Sequence, residues 1–387
     1  MTPHRERFDV LIVGAGIMGS ALAYHLARDH RKSVALCERD SPAAGASGKA
    51  GGLVSAQCWN DWDTMVVEES RMEYLQLSKL ADTVLYEPSG GIRAVGTPEG
   101  ERSIARTLDR LRSHGIPAEI LRPSELAALY PHGNFAGIRQ ALLTPEAALV
   151  LPTDLTQLYY RQAVEAGTRG LPAPVERTVQ RKGDLWSLET PEGEAEAPAL
   201  VIAAGAWSKK VLGTMGLSAP LAPYLTRACL LKVGNSQRFP YFHDADRDVY
   251  LRTFPGGDIL AGDGTELVEV DPDRVATTDN LAFVEHIAEF LEVRFPDWAE
   301  APLSSAWHGV ITSTPDRRPL LGPYPGVPGL FLATGFNGFG LMRAGGAMRR
   351  LAESMVSGDL APLGPCSALR FPPPHAPFVP RSGFTLD

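Results

Sequence analysis

The sequence predicts an α/β protein in which a Rossmann-like unit is interleaved with a smaller α+β domain built on an antiparallel sheet. Three observations carry this reading. An apolar, β-branched run opens directly into the glycine turn "VGAGIMGS" at 13–20. A middle region holds short alternating strands, "ACLLKV", "DVYLRTF" and "DILAGDG", between 228 and 264. Near the C-terminal end the first style returns as strand, glycine turn and helix, "GLFLATGFNGFGLMRAGG" at 329–346. With 387 residues, 44% of them hydrophobic and 21% charged, the chain can bury a large core and is expected to divide into more than one domain.

The first unit parses as strand, turn and helix, because "FDVLIV" is followed by glycines and then by Ile17, Ala21, Leu22 and Leu26 at helical spacing. A second strand, "SVALCERD" at 33–40, closes a βαβ unit and ends on Glu38, about twenty residues beyond the glycines. Amphipathic helices are predicted at 63–84 and 101–115, the latter stopped by Gly115 and Pro117. A further helix is expected at 153–167, capped by Thr153 and ended by Gly167. "VERTVQRKGDLWSLETPEGE" reads as hairpins feeding a buried strand, "ALVIAAGAWS" at 199–208. A helix at 280–296 is expected to lie across the antiparallel strands, and the last helix to run over 344–358. "FPPPHAPFVP" is too rich in proline for a packed element and reads as an extended tail. The expected division is 1–85, 151–220 and 305–361 for the dinucleotide-binding domain, 86–150 and 221–304 for the substrate domain, and 362–387 for the tail.

Charge and cysteine usage exclude several partners. The net charge is −8 and no basic block stands out, so nucleic acid is not expected. Cys37, Cys58, Cys229 and Cys366 are far apart and form no CxxC or Cys/His cluster, which argues against a disulfide framework or a zinc site. The polar start "MTPHRERF" lacks the pattern of a signal peptide. Ser20, Tyr24, His25 and Arg28 interrupt the only long apolar run near it. A cytoplasmic chain without a membrane span is expected; the oligomeric state, homo-oligomer included, stays open.

The chemistry rests on the glycines. Gly14, Gly16 and Gly19 answer three steric demands: a tight turn, close approach of backbone to a pyrophosphate, and close helix–strand packing. Ile17 and Met18 lie between them at the helix start, where backbone N–H groups and the helix dipole meet phosphate charge. Glu38, with Arg39 beside it, is placed to accept hydrogen bonds from ribose hydroxyls, and its charge disfavours a 2′-phosphate. The motif alone leaves NAD and FAD open. "GASGKAGGLVS" at 45–55 supplies Ser47, Gly48, Lys49, Ala50, Gly51 and Gly52 as a loop able to lie along a large planar cofactor.

"VGAGIMG", "GASGKAGGL", "VIAAGAWS", "TPDRRPLLG" and "LATGFNGFGLMRAGG", in this order over nearly the whole chain, resemble the D-amino acid oxidase superfamily of flavoproteins, which includes glycine oxidase, sarcosine oxidase and dehydrogenase, and proline dehydrogenase subunits. The resemblance implies FAD in extended form, with ADP on the first unit and the isoalloxazine between the domains. Asn337, Gly338, Phe339, Gly340, Leu341 and Met342 would then close over the ring. One glycine turn holds phosphates and the other the redox ring. The resemblance also places Val175 against adenine, and Ala204, Gly205 and Trp207 beside the dinucleotide. Lys49 falls where a cation would stabilise the reduced ring.

Departures from the family pattern shape the expected chemistry. Gly309 stands where some sarcosine oxidases attach flavin through cysteine, so non-covalent FAD is expected. Leu260 stands where monomeric sarcosine oxidases carry an oxygen-activating lysine, which favours a dehydrogenase. Ile311 and Met342 replace the substrate-clamping arginine of glycine oxidase and the lysine of sarcosine oxidase. Arg343, and Arg252 with Tyr250, are therefore the candidate carboxylate anchors, and His308 is a candidate general base or polar gate. The implied reaction oxidises the C–N bond of an amine or amino acid (glycine, sarcosine, D-amino acid or proline type) by hydride transfer to flavin, giving an imine that hydrolyses. Electrons would pass on to oxygen or a redox partner. A flavoprotein acting on a 2-hydroxy acid or polyol, the flavin subunit of a multi-component dehydrogenase, and an NAD-linked dehydrogenase are the competing readings.

Overall fold

The computed structural model describes residues 5–81, 85–173, 179–191, 193–234, 238–254, 256–263, 269–275, 281–376 and 378. Its central sheet has six strands in the order Arg169–Pro172, Val34–Glu38, Val10–Val13, Ala199–Ile202, Leu330–Thr334 and Leu320–Pro323, parallel except for the last pair. All four residues of Val10–Val13 are buried. Val10 and Ile12 enter one hydrophobic core, Leu11 and Val13 a second on the opposite face. A strand covered on both faces needs this unbroken apolar run, because successive side chains point to opposite sides.

Among the described residues there are eight α-helices: α1 (Ile17–Tyr24), α2 (Asp61–Leu77), α3 (Pro98–Ser113), α4 (Pro123–Leu129), α5 (Pro152–Glu165), α6 (Ser208–Thr214), α7 (Leu281–Arg294) and α8 (Gly340–Ser357). α1, α2, α5 and α8 fill the first core. The second holds α6 and the four-stranded sheet of Arg5–Arg7, Gly193–Ala197, Leu185–Thr190 and Val179–Lys182. Several boundaries differ from expectation, among them the end of α2 at Leu77 and the start of α3 at Pro98. α5 begins at Pro152 with Leu151 in the cap position and no side-chain cap, because proline's fixed φ and missing N–H suit the first helical position better than Thr153 suits the cap. α8 begins four residues earlier than the sequence pattern placed it, at Gly340. The extended tail also starts later. Leu363 and Cys366 are buried, Trp62 donates to the Pro362 carbonyl at 3.2 Å, and Arg370 pairs with Asp316 at 2.8 Å.

The second domain is a mixed sheet of eight strands in the order Leu303–Ser313, Ala222–Leu231, Ile259–Asp263, Val249–Thr253, Tyr241–Asp244, Gly91–Val95, Gln140–Thr144 and Glu119–Leu121. The expected antiparallel strands are there, with Leu251 opposite Ala261, and Phe283, Ile287 and Phe290 of α7 pack into this domain's core. Its edge strand, Leu303–Ser313, runs through the expected boundary at 305 and carries this sheet toward the first domain.

Behind the central sheet, a short π-helical stretch, His25–Asp29, continues α1. Buried His25 lies 2.8 Å from Asp29 and 3.2 Å from Glu73, which also accepts the Tyr159 hydroxyl. Burial by itself lowers the imidazole pKa. The two carboxylates outweigh it and push His25 up to about 9 from 6.5. The folded value lies above the unfolded one, so this stabilisation is complete below pH 6.5 and is lost as pH rises through 9. Thermal melts across pH 6 to 10 are expected to show a falling midpoint in that window, and His25→Gln should flatten the fall.

Candidate active site

The parallel strands Val10–Val13, Val34–Glu38, Ala199–Ile202 and Leu330–Thr334 all deliver their C-terminal ends to one groove of about 290 Å³, the position at which open α/β sheets bind ligands. Gly14 holds φ +103°, and a Cβ there would stand 2.6 Å from the Ala203 carbonyl oxygen. A Cβ on Gly19 would stand 1.8 Å from the Gly14 oxygen. The turn therefore folds as tightly as it does only with glycine at both positions. Glu38 fastens it from the next strand: one carboxylate oxygen accepts the Ala15 N–H at 2.7 Å, the other the N–H groups of Arg39 and Asp40. α1 starts at this turn without a cap from its own N-cap residue, Gly16; Ser47 of the adjoining loop accepts the Ile17 N–H at 2.9 Å.

The far end of the groove is the second glycine turn. Gly335, Asn337 and Gly338 all adopt left-handed backbone, at φ +77°, +51° and +83°. Asparagine tolerates that region better than most side chains, and here it also braces the turn: Asn337 accepts the Thr314 N–H and donates to the Gly335 carbonyl. Gly340 then opens α8, again with no side-chain cap. Two helix N-termini thus open onto one groove, each with N–H groups and a positive dipole end for negative charge. Gly345 and Gly346 serve a different end. A Cβ on Gly346 would lie 2.5 Å from the Val66 oxygen, so these glycines let α8 pack closely on α2.

A smaller cavity of about 130 Å³ adjoins the groove and shares Ala50, Gly51, Tyr250, Gly338 and Leu341 with it. Ser55, Gln57, Trp59, Arg93, Tyr241, His243 and Phe339 add polar and aromatic wall to it. Gly51 admits the Tyr250 ring, whose oxygen would be 3.0 Å from a Cβ there. Burial raises the Tyr250 pKa, so the phenol stays protonated.

Most of the expected cofactor residues converge. Gly14, Gly16, Ile17, Met18, Glu38 and Arg39 line the groove at one end; Asn337, Gly338, Gly340 and Leu341 line it at the other. Ser47, Lys49, Ala50, Gly51, Ala204, Gly205, Trp207 and Gly309 lie along it. Arg39 sits 4.7 Å over the Trp207 ring, and Trp207 donates to Asp273 at 2.6 Å. Gly52, Phe339 and Met342 line the smaller cavity instead. Gly19 and Gly48 shape the backbone behind it, a Cβ on Gly48 meeting the Ala43 oxygen at 2.5 Å. Val175 lies outside the described residues.

The catalytic candidates divide. Lys49 and Tyr250 face the groove. Arg252 does not: it is buried behind the loop and donates to the carbonyls of Gly51 at 2.6 Å and Val150 at 3.2 Å, so it positions the glycine segment. Arg343 is 1% exposed and its Nε lies 2.8 Å from Asp63, which already neutralises it. His308 lines neither cavity, although Trp307, Gly309, Val310, Ile311 and Thr312 of the same strand line the groove. Partial burial, then Lys49 and Arg227, hold its pKa below the usual value, so it is neutral near pH 7. Sequence reasoning missed Gln57, Trp59, Arg93 and His243. The available signal was Arg93, a charge in the middle of the apolar strand "GIRAV", every residue of which is buried.

Residues 9–354 match the family described as FAD dependent oxidoreductase (DAO). The chain belongs to this family. Its flavoenzymes are FAD-dependent oxidoreductases, and the groove fits that cofactor: a long channel with glycine cradles and helix N-termini at both ends. Among relatives, mitochondrial dimethylglycine dehydrogenase of Rattus norvegicus is 28% identical over 383 residues, covering 92% of this chain and 44% of the relative. The chain thus spans less than half the length of that protein. Monomeric sarcosine oxidase of Bacillus sp. (strain NS-129) is 23% identical, with 91% of this chain and 93% of the oxidase covered. L-proline dehydrogenase from P. horikoshii shares the fold at a TM-score of 0.86 and 20% identity, covering 95% of this chain and 98% of that one. Among the described residues no helix is long and apolar enough to cross a membrane, and no His/Cys/Asp/Glu group could hold a metal ion.

Proposed function

We propose that the protein oxidises the C–N bond of a small amine or amino acid, with FAD held non-covalently along the groove and the substrate in the adjoining cavity. The observation that carries this is the continuity of the two spaces at Gly51, Tyr250, Gly338 and Leu341, where a small molecule would meet the end of the groove formed by the second glycine turn. Bound FAD supplies a two-electron acceptor for the substrate carbon. Gly14, Gly16 and the start of α1 would hold its pyrophosphate, Glu38 a ribose, and residues 335–341 the redox ring.

The chain supplies orientation, exclusion of water and a favourable field. Lys49, which makes no ion pair among the described residues, puts a positive charge on the groove beside Gly309. Tyr250, protonated, offers a hydroxyl at the junction of groove and cavity. Gly309 provides no thiol for a covalent link. Leu260, buried and lining neither cavity, provides no cation for activating oxygen, which supports a dehydrogenase passing electrons to another acceptor.

The test is anaerobic titration of the FAD-loaded protein with D-, L- and N-methyl amino acids while flavin absorbance is followed. Bleaching by amines and not by the matching 2-hydroxy acids is expected. Bleaching by the hydroxy acids alone would overturn the reading.

A further inference from the structure

Oxidation of an amine that arrives as its ammonium leaves a proton behind. The N–H bond breaks, and the electron pair it releases forms the C=N bond. The α C–H bond breaks at the same carbon, and that hydrogen leaves with both its electrons for the flavin. The amine is oxidised by two electrons, the flavin is reduced by two, and one proton has still to reach solvent. The polar wall of the smaller cavity, Ser55, Gln57, Arg93, Tyr241 and His243, is buried, so a group of the protein must carry that proton.

The titratable groups of this wall, among the described residues, are Cys58, Arg93, Tyr241, His243 and Tyr250. Burial raises the pKa of Cys58, Tyr241 and Tyr250, and each keeps its own proton. Burial lowers Arg93 to about 10, which leaves it charged at neutral pH. Imidazole is the side chain that both accepts and donates a proton in the neutral range. His243 is thus the member of the wall suited to hand one on.

The fold puts an exit behind it. Arg93 and Tyr250 are the direct neighbours of His243 in register, and all three face the cavity. Asp248, in the turn ahead of strand Val249–Thr253, places Oδ1 3.7 Å from His243 Nε2. That oxygen is buried and has no hydrogen-bond partner among the described residues, yet the Asp248 side chain is 38% exposed against 11% for His243. One carboxylate therefore reaches from a cavity-wall imidazole to solvent, across a gap that a bridging water or a small rotation closes. Two further groups face it: burial, then Asp248, raise the pKa of the Tyr224 phenol, and burial raises that of the Asp263 carboxyl, with a smaller push from Asp248.

Resting on the function proposed above, we infer that His243 and Asp248 form the proton outlet of the smaller cavity: the imidazole takes the proton that the substrate ammonium loses, and the carboxylate passes it to solvent. Asp248 holds left-handed backbone at φ +53°, a region that asparagine adopts as readily as aspartate. Asp248→Asn therefore removes the charge and keeps the turn.

The experiment follows flavin reduction in the FAD-loaded protein by anaerobic stopped flow, with glycine, sarcosine, N,N-dimethylglycine and proline as probes. At neutral pH the limiting rate at saturating amine should fall by about 100-fold in His243→Ala and by less in Asp248→Asn, with FAD content and thermal midpoint of Asp248→Asn unchanged. Both variants should show a larger solvent deuterium isotope effect than wild type, and added imidazole at constant ionic strength should restore His243→Ala. The defect should vanish toward about pH 10, where the amine enters neutral and has no proton to export. A defect as large at that pH as at neutrality, or one that neither imidazole nor pH moves, is the mark of a purely structural pair and overturns the outlet. Should His243→Ala fail to fold, the pH dependence of Asp248→Asn decides. The two readings fail distinguishably: wild type bleached by an amine with both variants equally fast sinks the outlet and leaves amine oxidation standing, whereas no bleaching of wild type by any amine sinks amine oxidation and takes the outlet with it.

Discussion

Gly19→Ala is expected to abolish retention of FAD and to destabilise the first domain, while Gly16→Ala, three residues away, should do far less to stability. A Cβ on Gly19 would sit 1.8 Å from the oxygen and 3.0 Å from the carbonyl carbon of Gly14. Both atoms are backbone, one end of the contact lies in α1, and the other in a turn already held at φ +103°. Neither can yield without moving helix against strand, and that motion opens the phosphate cradle. Overpacking of this kind costs about 1–3 kcal/mol and more where rigid backbone is involved. At Gly16 the first atom met is the Ser47 hydroxyl at 3.1 Å, the end of a side chain that rotates away. Thermal melts of the two apoproteins, with calorimetric titration by FAD, check the pair. Affinity in Gly19→Ala within tenfold of wild type would mean that the turn tolerates separation of α1 from its strand, and that the glycines are not what cradles the cofactor.

The same contrast explains what could be read in advance. The glycines were legible because their cause is local: a turn that needs positive φ, or a helix that starts against a strand, marks the sequence at fixed spacing. "VGAGIMGS" and "TGFNGFGL" therefore disclosed both ends of the groove. The apolar run Val10–Val13 likewise disclosed a strand covered on both faces. The three misplaced catalytic candidates fail for the opposite reason. Whether Arg252, His308 or Arg343 faces a cavity depends on partners distant in sequence, namely Val150, the pleat of a strand paired with Ala222–Leu231, and Asp63. Nothing within a few residues of each encodes that partner. Arg93 was hidden differently. Its strand lies in the stretch 86–150, which carries none of the five ordered motifs, and it enters the sheet beside Tyr241–Asp244, a strand unrecognised from sequence; His243 is its direct neighbour in register.

Asp63→Ala should be among the most destabilising single substitutions in the protein, and its double variant decides what Arg343 is for. Asp63 is buried in the first turn of α2, held by Asn60, whose side chain accepts its N–H at 2.9 Å and donates to its second oxygen at 2.7 Å. Its first oxygen lies 2.8 Å from Arg343 Nε, aligned poorly for a hydrogen bond, so the contact is chiefly coulombic. The guanidinium also lies 5.9 Å from the Trp59 ring and 5.4 Å from the Phe339 ring, both walls of the smaller cavity. Removing Asp63 leaves a fully buried cation with no counter-ion, a loss of about 3–5 kcal/mol. Asp63→Asn, which keeps the Asn60 contact through its own amide, should fall between the two. Replacing both partners, as in Asp63→Leu with Arg343→Met, should recover most of the stability, because two apolar groups of similar volume replace a pair whose desolvation already offsets much of its attraction. Denaturant unfolding of the four proteins measures this. If Arg343 only braces α8 and the two rings, the double variant should bind carboxylates nearly as tightly as wild type. A double variant that is stable yet has lost carboxylate binding would return the anchor to Arg343.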